Sequence, residues 1–142
     1  MNQGQTQLDD VQEGDLHVRV PAVAGRLTGL RHALSEWAER CGLDAQDREA
    51  LTLASYEAMA NSVEHAYAGR LQGVLDLRAE RDHAERRVVV TVTDYGQWRP
   101  PPSNPGTRGR GLPLIRGLTP DSTIRPSPHG TTVSMSWPLP GG

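Results

Sequence analysis

Three polar side chains that could do chemistry recur along one predicted helix. Glu57, Asn61 and His65 follow one another at intervals of four residues within the stretch EAMANSVEHAYAG. Side chains four residues apart lie on the same face of a helix. Asn is a poor residue for a helix interior, because its amide competes for backbone hydrogen bonds. The stripe therefore indicates either a ligand-binding face or an ordinary solvated face.

The ligand-binding interpretation gives the first two side chains separate roles. Glu57 has the chemistry of a general base, and the amide oxygen of Asn61 is a hard ligand for Mg²⁺. Mg²⁺ retains several waters and needs only one or two protein oxygens beside phosphate groups. The neighbours Ala54, Ala58 and Ala60 are small, which would let a ligand approach the helix closely.

A second candidate is the stretch TDYG, residues 93–96. Asp94 ends a run rich in β-branched residues, and Gly96 follows two residues later. The Asp94 carboxylate could accept a hydrogen bond from an exocyclic amine, and Gly96 would let a flat ring approach the backbone. The alternative is an ordinary turn, since Asp and Gly are common turn residues.

A third candidate is the stretch TRGRGLPLI. Gly109 and Gly111 precede a helix whose start is placed by Pro113, since proline is tolerated in the first turn. Exposed N–H groups and the helix dipole favour anions there. Arg108 and Arg110 would add fork-shaped donors for phosphate oxygens. The stretch predicts a phosphate site; the alternative is a flexible linker with solvated arginines.

Hydrophobic periodicity and turn signals predict the elements that must position these residues. A strand, two helices and two strands precede an irregular Pro- and Gly-rich segment, and a short helix and two strands follow it. A mixed or mostly antiparallel sheet covered by helices on one face would satisfy this order. In chain order, the predicted elements are a strand over 16–20, a helix from Pro21 to a stop at Gly42, a helix from an N-cap at Asp44 to about Tyr67, strands over 74–80 and 86–94 joined by a hairpin, a helix over 112–118, and strands over 123–125 and 131–137.

The composition excludes several classes of protein. The formal net charge is −2 and the sequence pI is about 6.2, so the chain lacks the basic footprint of a nucleic-acid-binding protein. All 15 basic residues are Arg. The absence of Lys excludes a P-loop and the strand Lys of eukaryotic-type kinases. A length of 142 residues predicts a single domain.

Targeting signals and cysteine usage add further expectations. The sequence has no apolar run of transmembrane length and no signal peptide, so we predict a cytoplasmic protein without a membrane association. Cys41 is the only cysteine, and we expect a small buried residue near a helix end. Residues 1–15 are polar and predict a flexible N-terminal tail, which leaves residues 16–142 as the folded domain.

Four stretches, taken in order, resemble the sequence boxes of a known superfamily. EAMANSVEHAY, VTDYGQWRPP, RGRGLPLI and HGTTVSMSWPL resemble the N, G1, G2 and G3 boxes of the GHKL (histidine kinase-like) ATP-binding fold, which occurs in gyrase, Hsp90, histidine kinases and MutL. Within it, the chain most resembles the small bacterial anti-sigma factor and serine-protein kinase family. The resemblance covers residues 16–139; Trp98 occupies a position where many GHKL proteins have a second glycine.

The resemblance implies a fold and a cofactor. The fold is the two-layer α/β sandwich called the Bergerat fold, with ATP and Mg²⁺ held between the helices and the sheet. Glu57 would be the general base, Asn61 the magnesium ligand, and His65 a structural residue. Asp94 would accept from the adenine amino group, and Gly96 would pass beneath the ring.

The remaining binding residues implied by the resemblance contact the phosphates and the adenine. Five consecutive residues would cradle the phosphates, namely Arg108, Gly109, Arg110, Gly111 and Leu112. Gly130, a predicted turn residue of positive φ, would precede Thr131 or Thr132 at the adenine side.

The resemblance also implies an activity and partners. The protein would transfer the ATP γ-phosphoryl group to a Ser or Thr of a STAS-type anti-sigma antagonist, and would sequester a sigma factor from RNA polymerase. The alternative is a catalytically silent, ATP-binding partner-switching module. A homodimer is possible through the stripe of Leu27, Leu34 and Trp37, although we expect these residues to pack in the core because the first helix must cover the sheet.

Overall fold

The computed structural model describes residues 14–66, 73–96 and 111–140, and only the backbone of residues 65, 66, 111 and 112. Most of the predicted N-terminal tail and the predicted phosphate-binding residues Arg108, Gly109 and Arg110 therefore lie outside the described residues. Of the described helices, none is both long and apolar enough to cross a membrane.

The order of the described elements follows the order predicted from the sequence. The described part of the chain contains five strands and three α-helices, with a short 3₁₀ turn at Ala24–Arg26 and a π-helical turn at Ser62–Ala66. The bounds are β1 Leu16–Pro21, α1 Leu27–Cys41, α2 Ala45–Asn61, β2 Val74–Asp82, β3 Arg87–Asp94, α3 Gly111–Leu118, β4 Asp121–Ser127 and β5 Gly130–Pro138.

The described strands form one sheet in which every pair of neighbours is antiparallel. Their order is β1-β2-β3-β5-β4. Side chains alternate between the two faces, so Val88, Val90 and Val92 of β3 are buried while Val89 and Thr91 are half-exposed. The buried side chains lie on the face that the helices cover. The predicted two-layer sandwich is confirmed.

The core lies between the helices and the inner face of the sheet. The predicted apolar stripe of α1 is buried, including Leu34 and Trp37. The small side chains Ala54 and Ala58 of α2 are also buried. Cys41 is buried at the last position of α1, as predicted for a small residue near a helix end.

The first helix starts later than predicted. Pro21 is the last residue of β1, paired with Val74 of β2, and the α-helix begins only at Leu27 after the 3₁₀ turn. β1 is an edge strand, where the missing N–H of proline costs no ladder hydrogen bond. The predicted stop is confirmed, because Gly42 caps the helix in the left-handed conformation with φ of 93°.

The second helix has the predicted start and a different end. The Asp44 side chain caps it by accepting a hydrogen bond from the Asp47 amide at 2.8 Å. The α-helix ends at Asn61 instead of about Tyr67, and the chain continues as the π-helical turn that contains His65. Because a π turn is wider than an α turn, the predicted four-residue stripe holds only from Glu57 to Asn61.

The last two strands are longer than predicted. β4 includes Pro126 and Ser127, which were expected in the connection to β5. β4 forms the other edge of the sheet, so proline is tolerated there as it is in β1. The hairpin predicted between β2 and β3 is confirmed, with residues 83–86 as the connection.

Candidate functional site

The ends of three elements meet around one buried carboxylate. Asp94 is the last residue of β3 and lies opposite Thr131 of β5 in the antiparallel register. Ser62 directly follows the end of α2 and donates its hydroxyl hydrogen to Asp94 Oδ2 at 2.9 Å. Residues far apart in the sequence, from the first, second and fourth candidate stretches, are thereby brought together.

Asp94 is held by three donors and retains acceptor capacity. Its Oδ1 accepts from the amide N–H of Gly96 at 3.2 Å and of Thr131 at 3.3 Å, and its Oδ2 accepts from Ser62. An ionised carboxylate offers about four acceptor positions. The contacts made by the described residues therefore leave one position, on Oδ2, for a further donor such as an exocyclic amine.

The electrostatic environment of Asp94 is that of a buried acid. The residue is only 2% exposed. Burial raises the pKa of Asp94 above its ordinary value, because the charged form loses hydration, while the hydrogen bonds from Ser62, Gly96 and Thr131 act in the opposite direction. A donor from a ligand would stabilise the charged form further.

Gly130 is required by its conformation and by its neighbours. Its φ is 147°, a region that side-chain-bearing residues rarely adopt, so the predicted positive φ is confirmed. A Cβ atom at this position would lie 2.0 Å from the Asp94 carbonyl oxygen and 2.8 Å from the Tyr95 Cα. The absent side chain therefore lets the start of β5 pack directly against the end of β3.

The hydroxyl of Thr131 supplies an independent sign of a ligand site. Thr131 is 2% exposed, and its Oγ1 has no hydrogen-bond partner among the described residues. A buried polar atom without a partner costs free energy that a ligand atom or an ordered water would recover. A hydroxyl can both donate and accept a hydrogen bond, so the Thr131 hydroxyl could pair with a nitrogen or oxygen atom of a ligand.

The two helix residues predicted for chemistry lie on the last two turns of α2, which lead into this centre. Asn61, the last residue of α2, is only 3% exposed and directly precedes Ser62. Glu57 is half-buried one turn earlier on the same helix. The switch to a π-helical turn after Asn61 is a feature that helices often show at functional sites.

The sequence analysis missed Ser62. Its side chain is buried at 3% exposure and joins the end of α2 to the end of β3. The available signal was its position immediately after Asn61. A serine there is indistinguishable from an ordinary helix residue until the register of β3 places Asp94 beside it.

The predicted phosphate site is described only in part. The helix α3 begins at Gly111, as the position of Pro113 predicted. α3 packs against α2, and its Ile115 side chain is fully buried. The roles predicted for Arg108, Gly109, Arg110, Gly111 and Leu112 stay predictions, because these residues or their side chains lie outside the described part of the chain.

The comparison with protein families agrees with this arrangement. Residues 20–137 match the family described as the histidine kinase-like ATPase domain. The chain belongs to this family. The match spans the three α-helices, the strands β2, β3 and β4, the last two residues of β1 and all but the last residue of β5, and it includes Glu57, Asn61, Asp94 and Thr131. Because members of this family are ATPase domains, ATP is the ligand that the site is expected to bind.

Two proteins with RsbW domains are similar to this chain over most of its length. The serine-protein kinase RsbW of Staphylococcus aureus is 28% identical over an alignment of 141 residues. The match covers 88% of this chain and 87% of that protein. The crystal structure of the RsbU and RsbW domains of a Mycobacterium tuberculosis protein is 27% identical, with a TM-score of 0.71 over 88% of this chain. This chain spans 32% of the length of that second protein.

Proposed function

We propose that this chain is an anti-sigma regulatory factor that binds ATP with Mg²⁺ and phosphorylates a Ser or Thr on a STAS-type antagonist. The observation that carries the proposal is the pair of buried polar groups at the strand ends. Among the described residues, Asp94 retains acceptor capacity and the Thr131 hydroxyl has no partner, within a member of a histidine kinase-like ATPase family. Similarity to a serine-protein kinase supports phosphoryl transfer as the reaction.

Recognition of adenine would use the sheet side of the site. Asp94 would accept a hydrogen bond from the exocyclic amine, and the Thr131 hydroxyl would pair with a ring nitrogen. Gly96 is buried directly after Tyr95 and has no side chain to obstruct a flat ring. Ser62 would keep the Asp94 carboxylate oriented, since its hydroxyl donates to Oδ2.

The helix side would hold the metal and the phosphates. No cluster of three or more His, Cys, Asp or Glu side chains suited to a metal occurs within the described ranges. The Asn61 amide oxygen would therefore hold Mg²⁺ together with phosphate oxygens and water, a donor set that suits this ion. The amides of residues 109–111 and the side chains of Arg108 and Arg110 would bind the phosphates. Mg-ATP supplies the phosphoryl group, and its transfer depends on positioning and charge neutralisation.

Glu57 would act on the partner. As general base it would take the proton from the attacking Ser or Thr hydroxyl, an effect usually worth about 10²- to 10⁴-fold in rate. We further propose that the antagonist and a sigma factor compete for the chain in the cytoplasm, so that phosphorylation of the antagonist decides which partner is bound.

The test is phosphoryl transfer from γ-labelled ATP to a purified STAS-domain protein from the same cell. We expect the wild type to transfer phosphate and Glu57→Gln to lose about 10²-fold or more of the rate, with ATP affinity nearly unchanged. The matched control is Glu49→Gln, the same substitution at an exposed position of the same helix, which we expect to retain full activity.

Two results would contradict the proposed activity. Equal transfer by Glu57→Gln and the wild type would remove Glu57 from the chemistry. No transfer by the wild type, together with retained ATP and partner binding, would favour the catalytically silent partner-switching module instead. A pull-down from cell extract with and without Mg-ATP identifies the partners. Recovery of neither a sigma factor nor a STAS protein would overturn the proposed partners.

A further inference from the structure

A network of charged and aromatic side chains lies on the outer face of the sheet, behind the candidate site. Asp76 of β2 accepts two hydrogen bonds at Oδ2 from Arg19 of β1, from Nε at 3.1 Å and from Nη2 at 2.9 Å. Its Oδ1 lies 2.9 Å from Nε2 of His17. The Asp76 side chain is only 11% exposed. Two charge-assisted hydrogen bonds from one edge of the guanidinium to a single carboxylate oxygen therefore restrict the orientation of Arg19.

The same guanidinium contacts Tyr95. Arg19 Nη2 donates to the Tyr95 hydroxyl oxygen at 3.2 Å, and the guanidinium carbon lies 5.6 Å from the ring centroid. Both a hydrogen bond and a cation–π contact thus join β1 to the residue after β3. These side chains are partly exposed, so the contacts orient the tyrosine and contribute little to overall stability.

Tyr95 occupies a sensitive position in the backbone. The β2–β3 ladder ends with the pair Leu75 and Asp94, so Tyr95 lies just beyond it. Its two chain neighbours are Asp94 and Gly96, whose amide N–H donates to Asp94 Oδ1. Its Cα also lies within 2.8 Å of where a Cβ of Gly130 would be. A shift of Tyr95 would therefore move the groups proposed to recognise adenine.

We propose that Arg19 is a positioning residue for adenine recognition. Asp76 holds the Arg19 guanidinium, Arg19 holds the Tyr95 ring, and the ring fixes the backbone between Asp94 and Gly96 from the face of the sheet opposite the helices. This inference rests on the proposed ATP binding. It extends that site to the edge strand β1, which none of the four sequence boxes includes.

The test compares Arg19→Gln with Arg78→Gln. Arg78 is a matched control, since it lies on the same outer face in β2 and pairs with Glu80 instead of Tyr95. Calorimetry with Mg-ATP and with inorganic tripolyphosphate separates the adenine from the phosphates. We expect Arg19→Gln to weaken ATP binding about three- to tenfold, because the contacts that it loses are exposed and individually weak and act on the ligand only through Tyr95. Tripolyphosphate binding should be unchanged, and Arg78→Gln should match the wild type.

Two further measurements report on positioning itself. In the nucleotide-free protein, the Gly96 amide should exchange its hydrogen faster in Arg19→Gln than in the wild type or Arg78→Gln. In a Tyr95→Leu background, Arg19→Gln should weaken ATP binding no further, because the two residues act through one contact.

The outcomes separate this inference from the proposed function. The positioning role would be overturned if Arg19→Gln had the same ATP affinity and the same rate of Gly96 amide exchange as Arg78→Gln. Equal weakening of ATP and tripolyphosphate would overturn it as well, since the loss would not concern adenine. If the wild-type protein itself bound no ATP, the proposed function would be overturned, and the inference about adenine with it. The two failures are distinguishable, because only this one affects the wild type.

Discussion

At the scale of single residues, Asp94 shows how a carboxylate is accommodated inside the core. A buried carboxylate is unfavourable unless hydrogen bonds compensate for its lost hydration. Here the hydroxyl of Ser62 and the amides of Gly96 and Thr131 provide part of that compensation, although burial still outweighs them and raises the pKa of Asp94. The remaining acceptor capacity is what the proposed recognition of an adenine amino group needs.

The substitution Asp94→Asn should separate binding from folding. The carboxamide oxygen can accept from the Gly96 and Thr131 amides, and its NH₂ can donate to the Ser62 oxygen, so the local hydrogen bonds survive. An NH₂ group would then face the adenine amine, donor against donor. We expect ATP affinity to fall about 10- to 100-fold, with an unchanged or higher melting temperature. Retained affinity in calorimetry would exclude Asp94 as the adenine acceptor.

The raised pKa of Asp94 predicts opposite pH dependences for stability and binding. Between the ordinary and the raised pKa, the folded chain binds more protons than the unfolded chain, so this residue's contribution to stability declines as pH rises. Urea denaturation should show the wild type losing stability relative to Asp94→Asn across that window. ATP affinity should instead fall as pH drops, since the acceptor must be ionised. A stability difference that runs the other way would contradict the assigned burial effect.

Gly130→Ala should disrupt the contact between β5 and β3. The added Cβ would meet the Asp94 carbonyl oxygen at 2.0 Å, and φ of 147° is strained for alanine. Overpacking and backbone strain each cost about 1–3 kcal/mol, so we expect roughly 2–6 kcal/mol of lost stability by urea denaturation. Gly117→Ala is the control, because a Cβ there meets no atom within 4 Å and it should stabilise α3 by up to about 1 kcal/mol. Equal effects of the two would contradict the close approach.

At the scale of elements, α2 divides its tasks between its two ends. Its N-terminus is capped by Asp44, and its C-terminus carries Asn61 and leads through Ser62 to the sheet. The small residues Ala54 and Ala58 between them are buried against the rest of the core. The N-terminal cap therefore contributes to stability, whereas the ligand chemistry that we propose belongs to the C-terminal end.

Asp44→Ala tests this division. Loss of the side-chain cap on the Asp47 amide should cost about 1 kcal/mol of unfolding free energy. ATP affinity should remain within about twofold, because the cap lies at the far end of the helix. Glu36→Ala, at an exposed position of α1, is the control and should change neither quantity appreciably. A large loss of ATP affinity in Asp44→Ala would show that the two ends are coupled.

At the scale of the whole molecule, the proposed ligand would connect the two layers. Asn61 belongs to the helical layer, while Asp94 and Thr131 belong to the sheet. A nucleotide held by both layers binds the folded chain only. We expect Mg-ATP to stabilise the protein by about 2.7 kcal/mol at a concentration of 100 times its Kd, measured as a rise in melting temperature. The melting temperature of Asp94→Asn should rise little at the same ATP concentration. A rise equal to that of the wild type would contradict the proposed nucleotide site.

The sequence by itself determined the features that depend on near neighbours in the chain. The cap at Asp44, the stop at Gly42, the start of α3 near Pro113 and the hairpin between β2 and β3 all have local signals, and the structure has all four. The family boxes also supplied Glu57, Asn61, Asp94 and Thr131 as candidates, although their roles in binding and catalysis stay predictions. These signals work because caps, turns and periodic faces involve residues only a few positions apart.

Only the tertiary structure decided which distant residues meet. The hydrogen bond from Ser62 to Asp94 spans 32 positions, and that from Arg19 to Tyr95 spans 76. Both depend on strand register, which local sequence does not specify, because it is fixed by the packing of a whole face of the sheet. The end of α2 at Asn61 was also decided by the tertiary structure, because tertiary packing overrides helix propensity. The elements followed from local physical chemistry, whereas the assembled centre around Asp94 required the complete fold.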